Sequence, residues 1–449
     1  MMSATTVTPR ELAGIRELGR GAAILHAYRA ERRKLATQVA TRVLALVCVL
    51  GPFAFAGILQ TQSGAPADTM FGIWVHSSGY AISLVLLSFC GAWGFPVVAG
   101  VLAGDIFSCE DRFGTWKTVL TRSCRRSEVF IGKVLAAATF SVALTTLAAI
   151  STVVAGLSFV GDQPLVNLSG ELMSPAACLA LVLVSWLFSL LPVLAFTALA
   201  VLFSVATRNG ILGVLGPSLV ALAFQLLELV GTGIWVHTLL ISSAFDGWHG
   251  LLTEHRFFGQ LLFAIVVSAL WIAICLGASW LIIRRRDFAG APMSRRQGWG
   301  APVRTVAALA LVLALLAIAG NLGPDSVTSA RLQASIQPTF NNLTLLQQRE
   351  LGRTVPAGAK LNILTNCLRR AGTRRGPGDD WVCTLDVMIP QPGAVPFNST
   401  PVTYDVSVKS NGCYKAEAPP TFVGQLLMKD AAGHNVVNPL FVIYGCFEP

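Results

Sequence analysis

The stretch GYAISLVLLSFCGAWGFPVVAGVLAGDIFSCEDRFGTWKTVLTRSCRRSEVFIGK (79–133) opens with 26 residues that carry no charge and closes with a loop that carries six basic ones. About 20 apolar residues at helical rise cross a hydrocarbon layer ~30 Å thick, so residues 79–104 read as a membrane span and 105–133 as a loop in water. Six more stretches have the same character, near 39–59, 129–160, 176–206, 210–233, 257–283 and 303–322. The composition agrees: 54% of the residues are hydrophobic and only 12% are charged, about half the usual ~25%. With a mean hydropathy of +0.64, so much apolar surface does not fit inside a water-soluble core, which excludes an ordinary soluble enzyme.

The distribution of basic residues sets the expected topology. Residues 1–42, 105–133, 207–210 and 284–304 hold 21 Lys and Arg, whereas the alternate loops 60–78, 161–175 and 234–256 hold only Arg256. By the positive-inside rule the N-terminus is expected in the cytoplasm, and seven crossings then put the chain after about Leu322 outside the cell membrane. The formal net charge of +10 is thus a topological signal, and no nucleic-acid partner is expected. The first span follows a charged stretch of more than thirty residues and no small-residue cleavage pattern, so it reads as retained rather than as a signal peptide. The expected organisation is a cytoplasmic amphipathic segment (1–38), a six-helix unit (39–288), a cytoplasmic linker (289–302), a seventh span (303–322) and an extracytoplasmic domain (323–449).

The polar tail holds Cys367, Cys383, Cys413 and Cys446, which on an oxidising face imply two disulfides. Alternation in TYDVSV (403–408) and WVCTLDVMI (381–389), beside turn residues, predicts short strands. The run RRAGTRRGPGDD (369–380) has the residues to turn one strand back on the next, which brings Cys367 to Cys383 and leaves Cys413 for Cys446. The other six cysteines, Cys48, Cys90, Cys109, Cys124, Cys178 and Cys275, are expected to be unpaired. The fold class is therefore an all-α polytopic membrane protein with a small, β-rich, disulfide-containing C-terminal domain.

Within 104–137, Ile106, Phe107, Phe113, Trp116, Val119 and Leu120 are spaced to give one apolar face to a charged helix. Such a helix suits docking on a soluble partner or on lipid headgroups; the plain alternative is a basic loop that only sets topology. Glu228 is the acid placed within a span, one turn after Gln225, and should face the bundle or an aqueous cavity or else reach the outer headgroups. His76, His237, His249 and His255 match no compact ligand spacing, so no metal site is expected. Asp379–Asp380 reads as a solvated turn, Pro96, Pro192 and Pro217 as helix kinks, and Asn342-Leu-Thr and Asn398-Ser-Thr as bare glycosylation patterns.

The order of an acid, Phe-Gly-Thr (113–115), Thr-Arg-x-x-Arg-Arg (121–126) and Gly132–Lys133 resembles the cytoplasmic loop of ABC-2-type exporter permeases. AERRKLATQ (30–38), FSVATRNGILGVLGP (203–217) and RRRDF (284–288) extend the resemblance over residues 30–290. It implies a six-helix half-transporter that dimerises with a second permease subunit and works with a separate ATP-hydrolysing cassette subunit. It further implies a coupling loop formed by Glu110, Asp111, Arg112, Phe113, Gly114, Thr115, Arg122, Arg125 and Arg126, an amphipathic helix near 11–35, and a short re-entrant pair within 234–256. The added seventh span and Cys-containing tail resemble permeases of actinobacteria, and no role transfers to the tail. The coupling loop, Glu110 and Asp111 included, is expected to lie in water.

No G-x-x-x-x-G-K-[ST] motif occurs, and Gly132–Lys133 lacks both the upstream glycine and the hydroxyl that would hold Mg²⁺. Catalytic residues and cofactors are therefore not expected in this chain; ATP and Mg belong on the partner. The leading expectation is the membrane-spanning subunit of an ATP-driven exporter in contact with membrane lipids. A membrane-anchored receptor or assembly factor acting through the tail is the alternative, and an intramembrane enzyme is disfavoured because Glu228 lacks clustered catalytic side chains around it.

Overall fold

The computed structural model describes residues 20–62, 64, 66–121, 125–229, 240–286, 327–356, 358–370, 375–388, 401–409 and 411–448. After an N-terminal helix α1 (Arg20–Thr37), five helices or helix runs are long and apolar enough to cross a membrane. They are α2 (Val39–Thr61), the run from Gly79 to Phe113, α7 (Arg126–Phe159), α8 (Pro175–Thr207) and α11 (Gly259–Arg285). The fifth expected span is α9 (Gly210–Leu229), whose apolar segment Gly210–Leu226 is shorter. The seventh expected span, 303–322, and the linker 289–302 lie outside the described residues.

The run from Gly79 divides into α3 (Gly79–Phe89), a π-turn (Cys90–Gly94) and α4 (Phe95–Ala103). The wide turn precedes Pro96, whose ring would clash with the carbonyl one regular turn back and whose nitrogen cannot donate to it. At the start of α8, Ser174 accepts a hydrogen bond from the Ala177 N–H at 3.4 Å and Pro175 takes the first helical position. Hydroxyls link the helices where the surroundings are apolar: Ser83 to Thr152 at 3.0 Å, Trp186 Nε1 to Ser83 at 3.1 Å, and Thr197 to Ser141 at 2.9 Å. Glycines bring backbones into contact. A Cβ on Gly104 would overlap the Gly213 carbonyl of α9, and one on Gly79 would overlap the Gly156 carbonyl of α7. Outside, α2 exposes Val43, Leu46, Val47, Leu50 and Ile58, and α9 exposes Ile211, Leu215, Leu219 and Leu226. These are faces suited to hydrocarbon rather than to water.

The tail is built on a five-stranded antiparallel sheet whose strands lie side by side in chain order, β1 (Asn362–Arg369), β2 (Gly378–Met388), β3 (Val402–Val408), β4 (Cys413–Glu417) and β5 (Val442–Cys446), with a separate two-stranded ladder of Leu427–Lys429 and Asn435–Val437. Cys367 faces Cys383 in the β1–β2 ladder and Cys413 faces Cys446 in the β4–β5 ladder; both pairs are disulfides, as the hairpin argument predicts. The five remaining cysteines among the described residues are free; Cys124 lies outside them.

One inner sheet face is covered by α12 (Ser329–Glu350), a helix that the strand reading does not anticipate. It buries Leu332, Ile336, Phe340, Leu343 and Leu346 against Cys367, Cys383, Tyr404, Val406 and Ile443. The same helix seals the edge strand: Ser329 Oγ donates to the Cys367 carbonyl at 2.5 Å and Gln337 Nε2 to the Ile363 carbonyl at 2.9 Å. Asp379–Asp380 begins β2 instead of forming a turn, because Arg369 on the neighbouring strand holds Asp380 at 2.6 Å and the Ser407 hydroxyl donates to Asp379. Asn342 spends its side-chain amide on the Ser169 carbonyl at 2.9 Å; Asn398 lies outside the described residues.

The other sheet face docks on the bundle. Tyr444 donates to the Ala67 carbonyl, Lys415 pairs with Asp68 at 2.9 Å, and Lys409 with Asp246 at 3.7 Å. These contacts fall on the loops nearly devoid of basic residues, while the basic loops gather at the opposite end, where Arg126 Nη1 donates to the Arg284 and Arg286 carbonyls at 3.2 and 2.8 Å. The described chain thus leaves the bundle at its basic end with Arg286 and resumes at the other end with Val327.

Candidate functional site at the basic end of the bundle

The loop between α4 and α7 is two short helices, α5 (Ser108–Phe113) and α6 (Trp116–Thr121), in place of the single amphipathic helix. Gly114 divides them at φ +65°, a left-handed conformation that costs glycine little. The turn separates the apolar set: Ile106, Phe107 and Trp116 are buried, whereas Phe113 is 69% exposed with the Arg112 guanidinium 4.9 Å from its ring centre. The side chain of Leu120 lies outside the described residues.

The loop is fixed from several directions. Ser204 Oγ of α8 accepts the backbone N–H groups of Phe107 and Ser108, both at 3.1 Å, which satisfies donors at the start of α5. Asp105 accepts from Ser108 Oγ at 2.8 Å and from Arg112 Nη2 at 2.9 Å. Asp111 accepts from Trp116 Nε1 at 2.9 Å and from both terminal nitrogens of Arg286, the first at 3.0 Å, so the end of α11 is latched to the loop. Glu128 accepts the Arg125 N–H at 2.8 Å and closes the first turn of α7.

Beneath the loop lies a network of two acids and two bases. Lys133 Nζ, 1% exposed, donates to Glu31 Oε1 at 2.6 Å, to the Ile106 carbonyl at 3.0 Å and to Glu110 Oε1 at 3.1 Å, using all three of its protons. Lys34 Nζ reaches Glu110 Oε1 at 3.0 Å and Cys109 Sγ at 3.1 Å, and stands 3.9 Å from Glu31 Oε2. Thr115 Oγ1 donates to Glu110 Oε2. Burial opposes the charge of Lys34, but the Glu31 carboxylate and the Cys109 and Glu110 acceptors outweigh it and hold the ammonium above its ordinary range. A base raised in this way contributes its stabilisation at all pH values below its unfolded value and loses it only in strong alkali.

Glu110 is 6% exposed, which corrects the expectation that it lies in water: two segments distant in sequence, α1 through Lys34 and α7 through Lys133, converge on it, and the charges balance only when it is ionised. Asp111, bound to Trp116 and Arg286, is likewise drawn inward. The exposed members of the expected set are Arg112, Phe113, Gly114, Arg125 and Arg126; Thr115 is half-buried and Arg122 lies outside the described residues. Gln38, Asp105, Arg112, Phe113, Thr118 and Val119 line an open groove of about 500 Å³ beside them.

Gly132–Lys133 sits inside α7 with the Lys133 ammonium saturated by protein groups, a setting with no cradle for a phosphate. Gln225 is half-buried on α9, and the side chain of Glu228 lies outside the described residues. The segment 234–256 contains a four-residue helix α10 (Ile241–Ala244) and a 3₁₀ turn (His249–Leu252); residues 230–239, with His237, lie outside the described residues. His249 is buried against Trp248, His255 is exposed, and no group of three metal-ligating side chains occurs among the described residues. The ion network itself was missed by the sequence reading. Its one signal was the pair of opposite charges Glu31 and Lys34 one turn apart on α1.

Residues 53–289, from within α2 to the end of the bundle, match the family described as a protein of unknown function, DUF2705, and the chain belongs to that family. No curated protein matches the chain.

Proposed function

We propose that the chain is the membrane-spanning permease subunit of an ATP-driven exporter, oriented with its basic end in the cytoplasm and its disulfide-bonded tail outside the cell membrane. The observation that carries this reading is the α5–α6 loop: it presents Arg112, Phe113 and Gly114 at a solvent-exposed tip beside an open groove, while Glu110 and Asp111 fasten the same loop to α1, α7 and α11. A tip so connected can pass a push from a bound partner into helices of the bundle, which a basic loop with only a topological role would not require. ATP is hydrolysed by a separate subunit, and a second permease copy completes the translocation path. The resemblance over residues 30–290 supports both statements. Co-expression with a P-loop subunit encoded beside this chain, followed by affinity purification, tests the reading. Wild-type protein retains that subunit and its vanadate-sensitive ATPase, while the Phe113→Glu variant inserts normally and loses it; ATPase activity in the isolated chain, or retention unaffected by Phe113→Glu, overturns the proposal.

A further inference from the structure

Helix α1 has two faces with different chemistry. The inner face carries Ala23, Ala27, Tyr28, Glu31, Lys34 and Leu35 against α7 and the loop. A Cβ on Gly132 of α7 would meet Ala27 at 2.7 Å, and Tyr28 Oη donates to Thr139 Oγ1 at 3.4 Å. The outer face carries Leu25, Arg29, Arg32 and Arg33, all exposed. The one acid of the helix, Glu31, is turned inward to Lys133, and among the described residues no carboxylate pairs with any of the three arginines.

The depth of the helix follows from α7. That helix has 34 residues, about 50 Å at 1.5 Å per residue, which exceeds a ~30 Å hydrocarbon layer by about 20 Å. The excess falls naturally at the end that bears Lys133, and Thr139 lies about 20 Å from the helix start. A helix whose Tyr28 touches Thr139 therefore runs at the boundary between headgroups and acyl chains, where long arginine side chains reach phosphates while Leu25 enters the apolar layer.

We propose that the outer face of α1 is a binding site for anionic phospholipid headgroups, held by Arg29, Arg32 and Arg33. The planar guanidinium matches a phosphate diester in a two-bonded fork, and three of them without counter-charges favour a net negative headgroup over a zwitterionic one. The inner face joins this site to the docking loop: Glu31 and Lys34, on the turns that carry these arginines, hold Lys133 and Glu110. Lipid bound outside thus braces the network inside. The proposal rests on the bundle lying in a membrane and is independent of transport.

The test uses the full-length protein in nanodiscs of phosphatidylcholine containing phosphatidylglycerol, with the lipid retained after exhaustive detergent washing read by mass spectrometry. Phosphatidylglycerol is expected to be enriched over phosphatidylcholine, and the enrichment to fall as salt rises. Each Arg→Gln substitution lowers it about fivefold and the triple variant about a hundredfold, from about 1 kcal/mol per arginine at the surface. The triple Arg→Lys variant keeps most of it. Single variants R29Q and R33Q carry the test if the triple Gln variant does not fold. Equal retention of the two lipids by the wild type, or enrichment unchanged by R29Q and R33Q, overturns the proposal. Displacement of the retained lipid by 10 mM inorganic phosphate would show a free-anion site instead and overturn it equally.

Discussion

The two ends of the molecule are held by opposite means. At the tail end, order is local and covalent: strands adjacent in the sheet are tied by Cys367–Cys383 and Cys413–Cys446, and one helix closes over them. At the basic end, order is distributed and ionic: Glu31 and Glu110 are each paired with Lys34 and Lys133, with no covalent link. Buried ions add little net stability when all are present and remove much when one is taken away, because the survivor is stranded without water. A disulfide acts mainly on the unfolded chain, so its loss relaxes one domain without leaving any group unsatisfied.

The largest effect expected is therefore from Lys133→Met, which leaves Glu31 and Glu110 with Lys34 alone to balance two carboxylates. A loss of about 3–5 kcal/mol is expected, seen as a lowered midpoint in thermal unfolding of the detergent-solubilised protein, with partial recovery in Lys133→Met/Glu110→Gln. If Lys133→Met is neutral, the network is not what holds the basic end. Next comes the double Cys413→Ser/Cys446→Ser variant. A closed loop set by a sequence separation of 33 is worth about 4 kcal/mol in the chain-entropy model; hydrogen exchange should rise across the tail and stay unchanged in α5 and α7. Rapid exchange at both ends would show that the ends are coupled.

Gly114→Ala sharpens the picture with a smaller change. An added Cβ at Gly114 meets no other atom within 4 Å, so the cost is the left-handed backbone alone, about 1 kcal/mol, without loss of the ion network. The smallest effect belongs to Lys409→Ala. Its pair with Asp246 is 3.7 Å long with the lysine side chain 61% exposed, and such pairs contribute at most about 1 kcal/mol, so the midpoint should hardly move.

The same contrast explains what could be read in advance. Five of the expected spans, the separation of basic from neutral loops into two ends, and both disulfide pairs were legible because each is a local pattern: apolar length, charge sign, or a turn between two cysteines. Helix α12 was legible in principle, since Leu332, Ile336, Phe340, Leu343 and Leu346 repeat at four, four, three and three. Its polar composition and Pro338 hid the period. The role of Glu110 was not legible. Its charged neighbours in sequence suggest a solvated face, and the partners that bury it are Lys34 of α1 and Lys133 of α7, 76 and 23 residues away. Nothing local encodes that meeting.

The second span is a strut. Gly79 seats its lower backbone against Gly156 of α7, and Gly104 seats the other end against Gly213 of α9, each without room for a methyl group. Both ends are therefore pinned, and to different neighbours. Between the pins lies the wide turn at Cys90–Gly94. Converting that turn to regular helix removes one residue from its circuit and would rotate Phe95–Ala103 by about 100° relative to Gly79–Phe89. With its ends fixed, the strut has no way to absorb the rotation except by unseating a glycine pair, so the length and phase of this span are set by its joint and not by its neighbours' side chains.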